Sequence, residues 1–151
     1  MTGATVTEEL DVATRLRASV ARISRRLQRA TSDLPLTASE IAVLSATRRL
    51  GPVGLGRLAA EEAMNPTMLS RVVRALEQAG LLQREEDPGD RRAARVAVSE
   101  DGHRLVERVR TERADALDRA LDRLEPSQRA VVIGALPALE ALAEALREEV
   151  P

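Results

Sequence analysis

The spacing of apolar residues predicts a long amphipathic helix near the N-terminus. Leu16, Val20, Ile23 and Leu27 recur at steps of four, three and four, and arginines occupy the positions between them. This period places the apolar side chains on one face of a helix that is expected to run from about residue 8 to residue 31. The break around Pro35 then separates this helix from the next one.

Three shorter helices separated by tight turns are predicted in the following segment. Thr37 and Glu40 have the spacing of a capping box, which satisfies two backbone donors at a helix start. A short helix is expected from Leu55 to about residue 63. Asn65-Pro66, a preferred cap followed by a first-turn proline, opens the third helix, which is expected to stop at Gly80. Such a succession is typical of a helix-turn-helix unit.

The period changes after Gly80. Residues 81–84 lead into the charged, turn-rich stretch 85–90, and residues 95–98 then alternate polar or small with apolar side chains, which indicates a strand. Two short strands around an exposed tip, directly after a helix-turn-helix, describe a wing. Ser99 caps a long helix that is expected to reach residue 124, and a last helix is expected to bend near Pro137.

One helix of the helix-turn-helix carries the candidate DNA-reading residues. On a wheel of residues 67–78, an apolar stripe of Leu69, Val72, Val73 and Leu76 faces the core. The opposite side presents hydrogen-bonding side chains that suit base edges and phosphates. With the capping residue, the candidates are Asn65, Thr67, Ser70, Arg71, Arg74 and Gln78. On an isolated helix, such a polar face would simply be exposed to solvent. Here the helix is the second of a helix-turn-helix that a wing follows, and this arrangement favours insertion into a DNA groove.

The predicted wing tip carries a second candidate set. These residues are Asp90, Arg91, Arg92 and Arg95. A narrow minor groove attracts an inserted arginine, and Asp90 is suited to hold one guanidinium in register, so Arg91 or Arg92 is expected to reach into the groove. The alternative is a solvated hairpin tip, because the acidic residues at 85–87 would repel phosphate nearby.

Composition excludes most other functions. The chain of 151 residues suits one compact domain, and it contains no aromatic residue and no Cys. Base-stacking platforms, disulfides, thiol chemistry and cysteine zinc sites are therefore excluded. The single histidine, His103, could form a Ser-His-Asp catalytic set of a hydrolase only with the nearby Ser99 and Asp101. Both of these residues already fit capping roles at a helix start. We expect no catalytic residues, metal or cofactor.

Charge indicates a local nucleic-acid site rather than a general affinity for polyanions. All 23 basic residues are Arg, and the net charge is -1. A genomic bias toward GC-rich codons, which encode Arg and Ala, is the favoured explanation of the first observation, and selection for phosphate and guanine binding is the alternative. Residues 1–50 carry 8 Arg against 5 acidic residues, a balance of +3, whereas residues 51–98 carry 7 against 7. Any nucleic-acid site must then depend on where individual arginines lie.

The motifs of the central segment resemble those of the multiple-antibiotic-resistance regulator (MarR) family. The resemblance is strongest over residues 36–110, and the order of helices extends it over nearly the whole chain. It rests on residues 65–82, on Arg84, on Asp87-Pro88-Gly89-Asp90-Arg91-Arg92 and on Val98-Ser99-Glu100-Asp101-Gly102. Its most specific mark is the Asp-x-Arg at 90–92, nine residues before the Ser99 cap. Gly54 departs from the family pattern, since Thr or Ser often caps the third helix there.

The resemblance implies a function and a division of the chain. The helix matching residues 66–79 would enter the major groove of duplex DNA, and the arginine matching Arg92 the minor groove. The terminal helices would form a homodimer that binds a palindromic operator. Many members are repressors, often of neighbouring genes, that release DNA when a small phenolic or other lipophilic effector binds between the two lobes. The lack of Cys and the single His argue against the peroxide- and metal-sensing branches.

The predicted fold is mainly α with a small β-wing: a winged helix-turn-helix domain plus terminal helices that form a dimerisation lobe. The expected division is an N-terminal helix of that lobe at 1–35, the DNA-binding domain at 36–98, a connecting helix at 99–124 and a dimerisation helix at 125–151. The terminal helices could instead pack on each other within one chain. We expect a cytoplasmic protein with no membrane contact, since neither a secretory signal nor a spanning segment is evident. A winged-helix protein that has lost DNA binding and acts through protein contacts is the alternative.

Overall fold

A computed structural model describes residues 3–86 and 94–149 of the chain. The chain divides into two compact units, Met1–Arg113 and Ala114–Pro151. In the first unit, α1 spans Gly3–Arg29, α2 Ala38–Leu50, α3 Leu55–Glu61 and α4 Pro66–Gln78. The helix α5 covers Glu100–Leu121 and passes from the first unit into the second. The architecture is therefore mostly helical, as the sequence predicts.

A three-stranded antiparallel sheet completes the first unit. Its strands are β1 (Val53–Gly54), β2 (Leu82–Glu86) and β3 (Ala94–Val98), and β3 lies in the centre. Leu82 pairs with Val98, and Val53 pairs with Val96. The two strands of the wing are confirmed. The third strand, β1, is a finding that the sequence analysis missed, because two residues are too few to show an alternating pattern.

The core of the first unit lies between the helix-turn-helix and the sheet. Aliphatic side chains fill it, and the largest fully buried ones come from α2, α3, α4 and β3. They are Val43, Leu44, Leu58, Leu69, Val73, Leu76 and Val96. A smaller cluster of Leu34, Ile41 and Val109 joins α2 to α5. Leucine and valine thus provide the burial that aromatic residues often supply.

Several predicted helix ends are confirmed by their caps. Thr37 and Glu40 form the expected capping box, with the Glu40 carboxylate accepting from the Thr37 backbone N–H at 2.7 Å. Gly54 caps α3 without any side-chain hydrogen bond, as expected from the absence of a hydroxyl there. Gly80 has a φ of +72°, the left-handed conformation that commonly terminates a helix, and it lies two residues after the end of α4.

The second unit corrects the prediction of one bent final helix. It contains the end of α5, then α6 (Pro126–Gly134) and α7 (Leu136–Glu149). The helix is interrupted by a turn at Ala135, and Pro137 lies in the first turn of α7 rather than at a bend inside a helix. Proline is tolerated in a first turn because that backbone N–H has no partner within the helix. Among the residues that the structure describes, no helix is both long enough and apolar enough to cross a membrane.

Both terminal apolar stripes are largely exposed in the single chain. On α1, Val12, Val20 and Ile23 remain 62%, 54% and 52% exposed. In the second unit, large aliphatic side chains on α6 and α7 are exposed as well, and these are Val131, Val132, Ile133, Leu136, Leu139, Leu142 and Leu146. The amphipathic pattern correctly marks the apolar faces, but the chain by itself does not cover them.

Candidate nucleic-acid interface

The candidate recognition helix α4 is fixed at both ends by short-range interactions. The Asn65 side-chain oxygen accepts a hydrogen bond from the Met68 backbone N–H at 2.8 Å, and Pro66 occupies the first turn. At the other end, the Leu81 backbone N–H donates to the Leu76 carbonyl at 2.9 Å. Asn65 therefore acts through its oxygen as a cap, which leaves its side-chain N–H groups for other acceptors.

The two faces of α4 separate as the helical wheel predicts. Leu69, Val73 and Leu76 are at most 1% exposed, while Val72 is half-buried. The six side chains proposed from sequence all lie exposed on or beside the other face, and they are Asn65, Thr67, Ser70, Arg71, Arg74 and Gln78. The buried stripe anchors α4 against the core, so its polar face is held toward solvent.

A shallow depression of about 640 Å³ lies along this polar face. Its lining consists of Thr67, Ser70, Arg71, Arg74, Glu77 and Arg84. The Ser70 hydroxyl donates to the Pro66 carbonyl at 2.8 Å, which leaves its oxygen free to accept. Four of the six predicted residues thus share one surface with Glu77 of α4 and Arg84 of β2. Three guanidinium groups against one carboxylate make this surface locally positive.

Of the predicted wing residues, the structure describes only Arg95. Asp90, Arg91 and Arg92 lie outside the described residues. Arg95 is half-buried on β3, where it pairs in register with Gly54 of β1 and Glu85 of β2. Arg95 is the second residue of β3, so it lies near the end of the ladder from which the predicted wing tip continues.

Comparison with known proteins identifies the family. The MarR family profile matches residues 36–94. An HTH-type transcriptional regulator of Mycobacterium tuberculosis is 31% identical over 133 residues, which cover 88% of this chain and 93% of the relative. The chain belongs to the MarR family. It is a regulator of transcription with a winged helix-turn-helix, and members of this family are not enzymes.

Solved structures agree with this membership. A Pseudomonas aeruginosa protein named as a transcriptional regulator has a TM-score of 0.80 and 37% identity, covering 90% of this chain and 96% of its own. BpsR of Bordetella bronchiseptica has a TM-score of 0.62 and 27% identity, with 85% and 92% of the two chains covered. That structure concerns regulation of BpsR DNA binding by 6-hydroxynicotinic acid.

Ser99 and Asp101 make local contacts at the start of α5, and His103 lies exposed beside them. The Ser99 hydroxyl donates to the Gly80 carbonyl at 2.6 Å and accepts from the Gly102 N–H at 3.0 Å. Asp101 forms an ion pair with Arg104, and His103 is exposed. Ser99 therefore caps the start of α5 and joins it to the turn that follows α4. No group of three or more His, Cys, Asp or Glu suited to a metal ion occurs within residues 3–86 and 94–149.

The sequence analysis missed Glu77 and Arg84 as parts of this surface. Glu77 is not among the candidate residues predicted from the sequence, and Arg84 enters there only as part of the family resemblance. The Arg84 Nε lies 2.6 Å from Glu77 Oε1, so the two side chains join α4 to β2. They are seven residues apart on different elements, and no helical or strand period relates such positions. The opposite charges on either side of the Gly80 turn were the available signal.

Proposed function

We propose that this MarR-family protein is a homodimeric repressor that binds a palindromic operator through α4. The observation that carries the proposal is the exposed face of α4, on which Arg71 and Arg74 stand opposite the buried Leu69–Leu76 stripe. A guanidinium fork matches the two acceptors of guanine in the major groove. The segment 36–98 would be the DNA-binding domain, and the segments 1–35, 99–124 and 125–151 would supply the dimerisation lobe and its connection.

Within this proposal the side chains have different tasks. Arg71 and Arg74 read guanine edges, Gln78 pairs with adenine, and Thr67 and Ser70 contact an edge or a phosphate. Asn65 caps the N-terminus of α4 and offers its side-chain N–H groups to the DNA backbone. In the wing, Arg91 or Arg92 enters the minor groove with Asp90 as its partner, and Arg95 supports the strands from which the tip extends.

The exposed apolar faces support the homodimer. Val12 and Val20 of α1 are more than half exposed, and Val131 of α6 is 72% exposed. Apolar side chains that are exposed together on one helix face usually mark a contact surface, because burying them removes hydrocarbon from water. A two-fold dimer also presents two copies of α4 to two half-sites about 34 Å apart, as a palindromic operator requires.

A cleft in the first unit supports control by a small ligand. It has a volume of about 290 Å³ and is lined by Val20, Ile23, Ser24, Leu27, Gln28 and Arg113. The Nε of Arg113 is buried and has no hydrogen-bond partner among the described residues. A carboxylate on an otherwise apolar molecule would satisfy this donor while its ring or chain contacted the aliphatic wall. The likeness to BpsR makes an aromatic carboxylic acid such as 6-hydroxynicotinic acid a suitable first probe.

The experiment that tests the DNA proposal is a fluorescence-anisotropy titration. The labelled duplexes are the region upstream of the protein's own gene and one selected from a random pool, each against unlabelled random competitor. Arg74→Ala should weaken binding to the selected duplex by about 1–3 kcal/mol and relax preference at one base position. Arg92→Ala should weaken binding across sequences. Binding unchanged by Arg71→Ala combined with Arg74→Ala, in a folded protein, would refute the assignment of α4 and favour a protein-contact function.

A second titration tests the ligand proposal. Addition of 6-hydroxynicotinic acid to the preformed complex with the selected duplex should lower the anisotropy if it binds the cleft. Arg113→Met, which keeps the apolar stem, should abolish that response and leave affinity for DNA in place. Release of DNA from both proteins at the same concentration of acid would place the ligand elsewhere.

A further inference from the structure

The ion pair between Glu77 and Arg84 has no task in the function proposed above. The Arg84 Nε donates to Glu77 Oε1 at 2.6 Å, and Arg84 Nη2 lies 3.5 Å from Oε2. The Glu77 side chain is 21% exposed, and the Arg84 side chain is 56% exposed. The carboxylate is therefore the more enclosed partner, and the guanidinium extends from it toward solvent.

This pair changes the electrostatics of the α4 surface. Glu77 lines the same depression as Arg71 and Arg74, where an unpaired carboxylate would repel DNA phosphates. The guanidinium of Arg84 neutralises that charge. A guanidinium carries five N–H donors, and the hydrogen bonds to Glu77 occupy two of them. Three donors therefore remain for an acceptor outside the protein.

We propose that Glu77 positions Arg84 so that its remaining donors contact a phosphate of the bound duplex. The inference rests on the proposed role of α4 and adds a contact from the strand β2. Arg84 belongs to β2 and not to the helix that would enter the groove, so it meets the DNA backbone instead of a base edge. Stability is a weak explanation for the pair, because ion pairs this exposed contribute little to folding.

Salt dependence provides the first test, since each neutralised phosphate releases counterions on binding. We would titrate Arg84→Gln against the selected duplex and against a random 30-base-pair duplex over a series of salt concentrations. Affinity for both duplexes should fall about tenfold at low salt, and the slope of log K against log salt should decrease by about 0.9 for each phosphate that is no longer neutralised. Arg84→Lys keeps a cation within reach of the phosphate and should retain most of the slope.

Arg108 offers a matched control in the same unit. Its Nε donates to Glu112 Oε1 at 2.7 Å, its side chain is 61% exposed, and it does not line the α4 depression. Arg108→Gln therefore removes the same charge and a similar ion pair. It should leave the slope at the wild-type value. Equal slopes for Arg84→Gln and Arg108→Gln would overturn the proposal.

Glu77→Gln tests the positioning role separately. If Glu77 only repelled phosphate, losing its charge would tighten binding. If it positions Arg84, the neutral variant should weaken binding to the selected duplex, and Arg84→Gln should cost less in this background than in the wild type. Tighter binding by Glu77→Gln would refute the positioning role.

The same titrations distinguish failure of this inference from failure of the proposed function. Arg71→Ala combined with Arg74→Ala should abolish selectivity for the selected duplex over the random one. If that variant loses selectivity while Arg84→Gln behaves like Arg108→Gln, α4 reads DNA and Arg84 does not contact it. If neither change affects binding, the role proposed for α4 is itself wrong.

Discussion

Gly102 offers the sharpest test of how α5 packs against the segment that follows α4. A Cβ added at this position would overlap the carbonyl oxygen of Leu81 and stand 2.7 Å from Val98 Cγ1, whereas real Cβ atoms essentially never approach closer than 3.0 Å. The Leu81 carbonyl is held in place, because it accepts from the Ser99 N–H at 3.0 Å. Gly102→Ala must therefore displace α5 or break that hydrogen bond.

The magnitude follows from two opposing effects. Overpacking a well-filled site costs about 1–3 kcal/mol, and replacing a helical glycine by alanine contributes about 1 kcal/mol in the opposite direction. We therefore expect Gly102→Ala to lower the free energy of unfolding by up to about 2 kcal/mol. For a domain of this size, each kcal/mol corresponds to about 2–4 °C in Tm.

The assay is thermal unfolding followed by circular dichroism at one fixed protein concentration, because the Tm of the dimer proposed above would depend on concentration. Gly56→Ala is the matched control, since a Cβ at this position of α3 would meet nothing within 4 Å. Its Tm should equal or exceed that of the wild type. If Gly102→Ala were as stable as Gly56→Ala, the close contact between α5 and Leu81 would be refuted.

Three further outcomes are expected. Asn65→Ala should lower the free energy of unfolding in chemical denaturation by about 1 kcal/mol, because it removes the capping oxygen. Asn65→Asp keeps that oxygen and should retain the stability, so equal losses for the two variants would refute the capping role. Leu139→Glu with Leu142→Glu should shift the sedimenting species from dimer to monomer, and an unchanged dimer would exclude this face of α7 as its interface. Burial raises the pKa of Glu62, partly offset by Arg49, so stability should decrease as pH rises from the ordinary carboxyl range through this raised pKa. In thermal melts recorded across this pH range, Glu62→Gln should show no such decrease in stability. A pH profile of Tm equal to that of the wild type would contradict the role of Glu62.

Local signals predicted the elements that carry the candidate site. The Thr37–Glu40 capping box, the Asn65-Pro66 start of α4 and the glycine stop at Gly80 are interactions within a few residues, so the sequence contains both partners. The buried stripe of α4 followed in the same way from helical period. Assigning the polar face of α4 to DNA recognition also needed the order of the elements, because most helices of soluble proteins have a polar face.

Other features depend on residues that are distant along the chain. Val53 forms a strand only because Val96 lies beside it, and two residues of extended chain carry no pattern of their own. Gly102 is required by the approach of Leu81 and Val98, which its neighbours in sequence do not indicate. The Glu77–Arg84 pair likewise exists because the Gly80 turn brings β2 back beside α4.

The sequence by itself determined α1 to α5, the caps of α2 and α4, the two wing strands and the polar face of α4, because period and capping act over one or two turns. Only the tertiary structure decided that the terminal apolar stripes stay exposed in the single chain, that a third strand closes the sheet, and that Arg84 joins the α4 surface. These depend on which surfaces meet when the chain packs. Hydrophobic period marks a face to be buried, but it carries no information about the partner that buries it.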